Sequence, residues 1–184
     1  MLAYVFWHWP AAGAPPADYE AMQLAFHRNL AEARVPGFQG STVFRIDGQA
    51  PWLAGSPAYA DWYVADGSAA LDLLNEAAVS GARRGPHDVV ARAMGASTGS
   101  LLQLQSAQAQ VPAARWSTWI AKPRGMPYDP FYQRLGPLVA RDGVSLWRRM
   151  LVLGPTPEFG LLSRQPLELP PGLEGLALGL QPIW

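Results

Sequence analysis

The sequence predicts an α+β fold made of two β-α-β-β-α-β halves in one chain, residues 1–110 and 113–184, with the second half lacking its last helix. Three observations carry this. Short apolar or alternating segments end at Pro or Gly, as strands do, and are interleaved with stretches of helical spacing. Their order in the first half is strand, helix, strand, strand, helix, strand, the ferredoxin-like arrangement. Residues of the second half then echo the first in the same order.

Taken in order, residues 2–9 are mostly β-branched or aromatic and end at Pro10, which predicts a buried strand. After a Pro/Gly/Ala loop, Asp18 can cap a helix whose stripe is Tyr19, Met22, Phe26, Leu30 and Ala33. Pro36-Gly37 ends it. Ser41–Ile46 reads as the second strand, Asp47-Gly48 as a turn and Tyr59–Ala65 as the third strand. Asp66 or Ser68 can cap a helix over about residues 69–79. Gly81 and Gly85 break that helix, and Pro86 opens another to about Met94. Leu101–Gln105 closes the half as its fourth strand.

A polar stretch, Ser106–Pro112, leads to the restart. Trp116–Lys122 is a strand ending at Pro123, as the first ends at Pro10. Asp129-Pro130 is a cap with proline at the first helical position. Phe131–Leu135 echoes Phe26–Leu30, Trp147-Arg148 echoes Phe44-Arg45, and Gly154–Phe159 echoes Gly55–Tyr59. The offsets shrink along the chain, as short deletions in a second copy would produce. Pro137 should kink or end the helix it stands in, because its ring clashes with the preceding turn. Leu161–Ser163 and Leu176–Gln181 supply the last two strands, and Pro166–Gly175 between them is too short and proline-rich for a full helix.

Composition narrows function mainly by exclusion. The 184 residues carry 14 Lys+Arg against 14 Asp+Glu, so no basic field exists to hold nucleic acid or an anionic membrane. Without cysteine there is no disulfide, thiolate nucleophile or iron–sulfur site. With three histidines (His8, His27, His87) a His-rich metal site is not expected. Gly95–Gly99 lacks the Lys-Ser/Thr ending of a phosphate loop, and no Gly-x-Ser-x-Gly or His-Glu-x-x-His motif occurs. The eight Trp read as core, since base stacking would need a basic groove beside them. No basic leader precedes an apolar segment and no apolar run reaches about 18 residues, so the expectation is a cytoplasmic protein. Lys122 is the only lysine; with abundant Ala, Gly and Pro, that suggests a GC-rich bacterial genome.

Two ferredoxin-like halves in one chain resemble the dimeric α/β-barrel superfamily in its single-chain form. The resemblance covers nearly the whole chain and rests on element order and the internal echo. It implies that the two sheets face each other and close a barrel within one chain, with helices outside. It leaves room for a homodimer through the helices or through the loop Pro51-Trp52-Leu53, read as exposed. Members include cofactor-independent monooxygenases of polycyclic aromatics, isomerases, cyclases and haem proteins of the chlorite-dismutase type, so the fold does not fix function. No stretch matches the catalytic motif of any one of them.

The best site candidates lie on neighbouring strands. Alternation puts His8 on one face of the first strand with Phe6 and Tyr4. His8 is then either a cavity-facing base, imidazole being the side chain that ordinarily titrates near neutrality, or a strand-end histidine satisfied by backbone. A register with His8 opposite Asp61, Phe6 opposite Tyr63 and Tyr4 opposite Ala65 would place imidazole beside carboxylate above aromatic rings. Asp61 otherwise reads as an edge-of-sheet acid. Arg45 and Arg148 occupy matching places and can hold an anionic ligand or pair with acids outside. Trp119 lines the same cavity between the sheets. His27 and Lys122 read as surface or boundary groups, and His87 as serving the first turn of its helix.

Two classes of function remain. One is a small-molecule-binding protein or cofactor-independent enzyme of monooxygenase, isomerase or cyclase type. It would act on a small aromatic or polyketide-like compound between the sheets, with His8 and Asp61 catalytic and Tyr4, Phe6, Arg45, Tyr63, Trp119 and Arg148 holding the ligand. No cofactor or metal is expected in that reading. The other is a non-catalytic or ligand-sensing barrel filled by Phe6, Trp119 and their neighbours, or a haem-binding variant needing His8 or another free histidine as axial ligand.

Overall fold

The computed structural model describes residues 1–106, 111–150 and 154–184. The expected end of the first half, at residue 110, falls outside them. In chain order the elements are β1 (Leu2–Pro10), α1 (Pro16–Glu32), β2 (Phe38–Asp47), β3 (Ala58–Ala65), α2 (Ser68–Val79), α3 (Arg84–Ala93), β4 (Met94–Leu104), β5 (Trp116–Ile120), α4 (Tyr128–Val139), β6 (Ser145–Arg149), β7 (Phe159–Ser163) and β8 (Gly175–Pro182). All eight strands close one antiparallel barrel in the order β1-β3-β2-β8-β5-β7-β6-β4. The first half contributes β4-β1-β3-β2 and the second β8-β5-β7-β6, the same 4-1-3-2 order twice. Closure needs no second chain. No helix lies between β7 and β8, as expected.

Several local expectations are corrected. Pro15 is the N-cap of α1 and Pro16 its first residue, so Asp18 sits in the first turn, where its charge favours the helix dipole, and does not cap. Gly67 caps α2 without a side-chain bond, and Asp66 instead accepts from Gln39 Nε2 at 2.7 Å. Pro127 is the N-cap of α4 and Asp129 stands in its first turn. Pro137 lies inside α4, which ends two residues later at Val139. The strand β4 starts at Met94, seven residues before the expected Leu101, because β1 pairs with it along its whole length.

The barrel interior is full. Trp7, Trp62, Trp119 and Trp147 are at most 1% exposed and pack with Ala3, Val5, Phe44 and Leu102. Their rings meet edge to face: Trp7–Trp119 at 5.5 Å and Trp62–Trp147 at 5.5 Å between centroids, the favoured aromatic geometry. Large side chains stand opposite small ones. Trp7 and Phe44 flank Ala60, and Trp119 and Trp147 flank Gly160, where a Cβ would come within 2.9 Å of the Trp119 ring. The Trp119 and Trp147 indoles donate to Ser117 and Ser145 Oγ at 3.2 and 3.0 Å. Trp52 is buried too and packs on Trp7 and Trp119. The loop expected to be an exposed aromatic surface therefore closes over the barrel core. Among the described residues the space between the sheets is occupied by these side chains, and Trp119 is part of that packing.

Two further apolar layers lie outside the barrel. Under the first half, Phe26 and Leu30 of α1 meet Leu74 of α2 and Val90 of α3. Under the second, Phe131, Leu135 and Leu138 of α4 pack with Phe159 and Leu161, and Leu167, Leu169 and Leu173 of the β7–β8 connection cover them.

Candidate functional site

The face carrying Tyr4, Phe6 and His8 points outward, toward the helices. The β1–β3 register is Tyr4 opposite Tyr63, Phe6 opposite Asp61 and His8 opposite Tyr59. It differs by two residues from the expected one. Because side chains alternate with a period of two, the shift keeps the same residues on one face, and His8 still reaches Asp61 diagonally. Asp61 is 2% exposed on an interior strand, so its reading as a sheet-edge acid is wrong.

A buried network forms around that carboxylate. His8 Nε2 donates to Asp61 Oδ1 at 3.0 Å, and His27 Nε2 donates to Oδ2 at 3.2 Å. The Tyr63 hydroxyl donates to Oδ2 at 2.9 Å. On the far sides, His8 Nδ1 meets the Tyr19 hydroxyl at 2.7 Å and His27 Nδ1 meets Ser41 Oγ at 2.7 Å. An ionised carboxylate only accepts, so both imidazoles carry hydrogen on Nε2. His8 and His27 are fully buried. The helix supplies this chemistry through a second ridge, Tyr19–Gln23–His27, spaced i, i+4, i+8 beside the apolar stripe. That spacing was the available signal for His27, which the reading as a boundary residue missed.

Burial alone would raise the Asp61 pKa, but the charges and hydrogen bonds of His8 and His27 outweigh it and hold the carboxyl well below the usual range. Burial first, then the Asp61 charge and hydrogen bond, push the Tyr63 hydroxyl well above its ordinary value. Tyr19 is raised by burial and, to a smaller extent, by Asp61 and Tyr59, with Gln23 opposing the rise. Both hydroxyls stay protonated near neutrality.

A pocket of about 680 Å³ opens between the sheet and helices α1–α3. Its walls are mainly apolar, including Phe6, Phe26, Leu74 and Val90, and its polar groups include Asp61, Tyr63 and Gln23. Tyr4 stacks on Phe6 and Tyr63, each at 6.1 Å, and is partly exposed. His8 and His27 lie behind Asp61 and do not line the pocket; their hydrogen bonds position the carboxylate that does.

The arginines are elsewhere. Arg45 Nε donates to Glu20 Oε1 at 2.8 Å, and the Tyr59 hydroxyl donates to the same oxygen at 2.9 Å. Arg148 Nε donates to Glu158 Oε1 at 2.8 Å and its guanidinium stacks 4.4 Å from the Tyr128 ring centre. Neither lines the pocket; of the two readings, both arginines take that of pairing with acids.

The second half serves as an internal control. Ile120 stands opposite Phe159 as His8 stands opposite Tyr59. Leu161 stands opposite Thr118 and Leu146 as Asp61 stands opposite Phe6 and Val43. Matching Phe131 to Phe26 brings Tyr132 to the place of His27. One barrel thus builds the same positions once with His, Asp and His and once with Ile, Leu and Tyr. The topology does not require the polar network, which stands beside the pocket under the first half.

No family model and no curated protein matches the sequence. Solved structures do match in fold. A candidate monooxygenase from Lactobacillus acidophilus NCFM shares 9% identity over 100% of this chain and 94% of its own, with a TM-score of 0.59. An anthrone oxidase-like protein shares 10% identity over 98% and 91%, with a TM-score of 0.53. A candidate chlorite dismutase shares 12% identity over 98% and 94%, with a TM-score of 0.52. These likenesses show a shared fold, that of an eight-stranded antiparallel barrel with helices outside it.

Proposed function

We propose that this dimeric α/β-barrel protein, whose barrel is closed by a single chain, binds a small, largely apolar aromatic compound in the pocket under α2 and α3 and acts on it as a cofactor-independent enzyme of monooxygenase, isomerase or cyclase type. The observation that carries this reading is the asymmetry between the halves. A buried His8–Asp61–His27 network costs desolvation energy that Ile120, Leu161 and Tyr132 avoid, and it stands at the edge of a large, mainly apolar pocket. Apolar walls with a few convergent polar groups and a perturbed carboxylate are the usual form of a small-molecule site. The names of the first two structural neighbours agree with oxidation of an organic compound.

Within the pocket Asp61 and Tyr63 are the groups able to meet a ligand hydroxyl or an acidic C–H. Tyr63 can donate a hydrogen bond to a ligand oxygen and Asp61 can accept one from a ligand hydroxyl, with His8 and His27 fixing the carboxylate from behind. Anthrone is a suitable probe, since one dioxygen converts its methylene to the carbonyl of anthraquinone with release of one water. Oxygen uptake with anthrone, abolished in Asp61→Asn while binding persists, supports an oxygenase. Binding without turnover across a panel of polycyclic phenols and lactones supports a ligand-sensing role instead. Absence of any binding overturns the reading.

A second reading, a haem-binding barrel, has one supporting observation. His8 and His27 have both ring nitrogens engaged and cannot serve as axial ligands. His87 lines the pocket and uses only Nδ1, on Asp88 Oδ1 at 3.2 Å. Haem titration giving a Soret band that His87→Ala abolishes would favour it.

A further inference from the structure

Gln23 is 1% exposed, and neither Oε1 nor Nε2 of its amide has a hydrogen-bond partner among the described residues. The Tyr19 hydroxyl gives its hydrogen to His8 Nδ1, and its oxygen is the one group beside the amide that Nε2 can turn to, an interaction that opposes the rise of the Tyr19 pKa; Oε1 has no such neighbour. An orphaned buried amide costs the protein stability unless something satisfies it. Gln23 lines the pocket, one helical turn before His27 and next to the end where Asp61 and Tyr63 stand. The charges around the pocket narrow what can satisfy it. Its lining includes the carboxylates of Asp61 and Asp72 and neither Arg nor Lys. An anionic ligand would meet no guanidinium or ammonium group there, His87 being the only imidazole among the lining residues, and would have a buried carboxylate ahead of it.

We infer that Gln23 is the specificity-determining residue of this pocket, and that it selects an uncharged aromatic compound bearing a hydroxyl or carbonyl over the bare hydrocarbon and over the corresponding anion. This rests on the proposed binding of an aromatic compound in the pocket. The side-chain amide presents a donor and an acceptor side by side, so a hydroxyl or carbonyl at the ligand's inner end can satisfy Nε2, Oε1 or both. A hydrocarbon leaves the amide orphaned, and a carboxylate adds a repulsive charge. Discrimination by an unpaired polar group in the site is stronger than discrimination by shape alone.

Calorimetric titration with naphthalene, 1-naphthol and 1-naphthoate tests this on the wild type and on Gln23→Leu. Gln23→Met, unbranched, serves if the leucine variant does not fold. The wild type should bind 1-naphthol at least about tenfold more tightly than 1-naphthoate. The ratio of 1-naphthol to naphthalene affinity should fall about five- to tenfold in Gln23→Leu, the worth of one or two neutral hydrogen bonds. Without ligand, the leucine variant should melt at a higher temperature, because the orphaned amide is gone. An unchanged ratio, equal affinity for naphthoate, or a lowered melting temperature each overturns the assignment while leaving the pocket reading in place. Failure of naphthalene and 1-naphthol alike to bind the wild type overturns both.

Discussion

His8 and Ile120 hold the same position in the two halves of the barrel, one opposite Tyr59 and the other opposite Phe159. Strand order and register around them correspond, yet one belongs to a five-group hydrogen-bonded chain, Tyr19–His8–Asp61–His27–Ser41, and the other lies in an apolar cluster. Sequence, and not topology, makes the difference, so the polar version can be tested against the apolar one inside one molecule.

Removing Asp61 alone should be costly. Asp61→Ala strands two imidazole N–H groups and the Tyr63 hydroxyl without their acceptor, which should destabilise by about 3–5 kcal/mol. Combining His8→Ile, Asp61→Leu and His27→Tyr, the residues of the second half, should cost less than Asp61→Ala alone despite changing three residues. Chemical denaturation measures both. A triple variant less stable than the single one would show that the network, and not the apolar alternative, suits this half of the barrel.

Acid sensitivity follows from the same carboxylate. The folded-state pKa of Asp61 is lowered, so its contribution to stability is fully present above its unfolded value, about 3.9, and is lost as pH falls through the folded value. The wild type should lose stability steeply below about pH 4, and the triple variant should show a shallower loss over the same range. Tyr63 gives the opposite limb. Its folded pKa is raised, so its contribution is present below about pH 10 and is lost as pH rises beyond that. Tyr63→Phe should flatten the alkaline limb. Denaturation midpoints across pH read both slopes.

Trp52 is predicted to act as a core residue. Trp52→Ala should destabilise by about 3–5 kcal/mol, as removal of large buried aromatics does. It should also change the near-ultraviolet circular dichroism, because Trp52 packs on Trp7 and Trp119 at 6.4 and 5.9 Å. Iodide quenching should reach Trp184, which is 36% exposed, before any barrel tryptophan. A stability change below about 1 kcal/mol would return this residue to the surface.

The element order and the missing helix were legible because hydrophobic period and Gly/Pro punctuation are local signals. The side of the sheet on which His8 lies was not. On β1, Ala3, Val5 and Trp7 are as buried as a core face requires, and Tyr4, Phe6 and His8 are nearly as apolar. Alternation therefore separates the two faces without saying which one is the barrel interior. The small residues Ala3, Ala58 and Ala60 are the only hint, since a barrel crowded with indoles needs them. The acids that neutralise Arg45 and Arg148 were legible only as composition. Glu20 lies on a helix 25 positions from Arg45, and the pairing depends on how α1 crosses the sheet.

The central claim is that ligand binds on the helix side of the sheet and not inside the barrel. Nuclear Overhauser contacts between the ring protons of bound 1-naphthol and methyl-labelled protein test it most directly. Contacts to the methyl groups of Leu74 and Val90, which line the pocket, are the predicted result. Contacts to Leu102, Leu162 and Leu178, which belong to the barrel core, would contradict it.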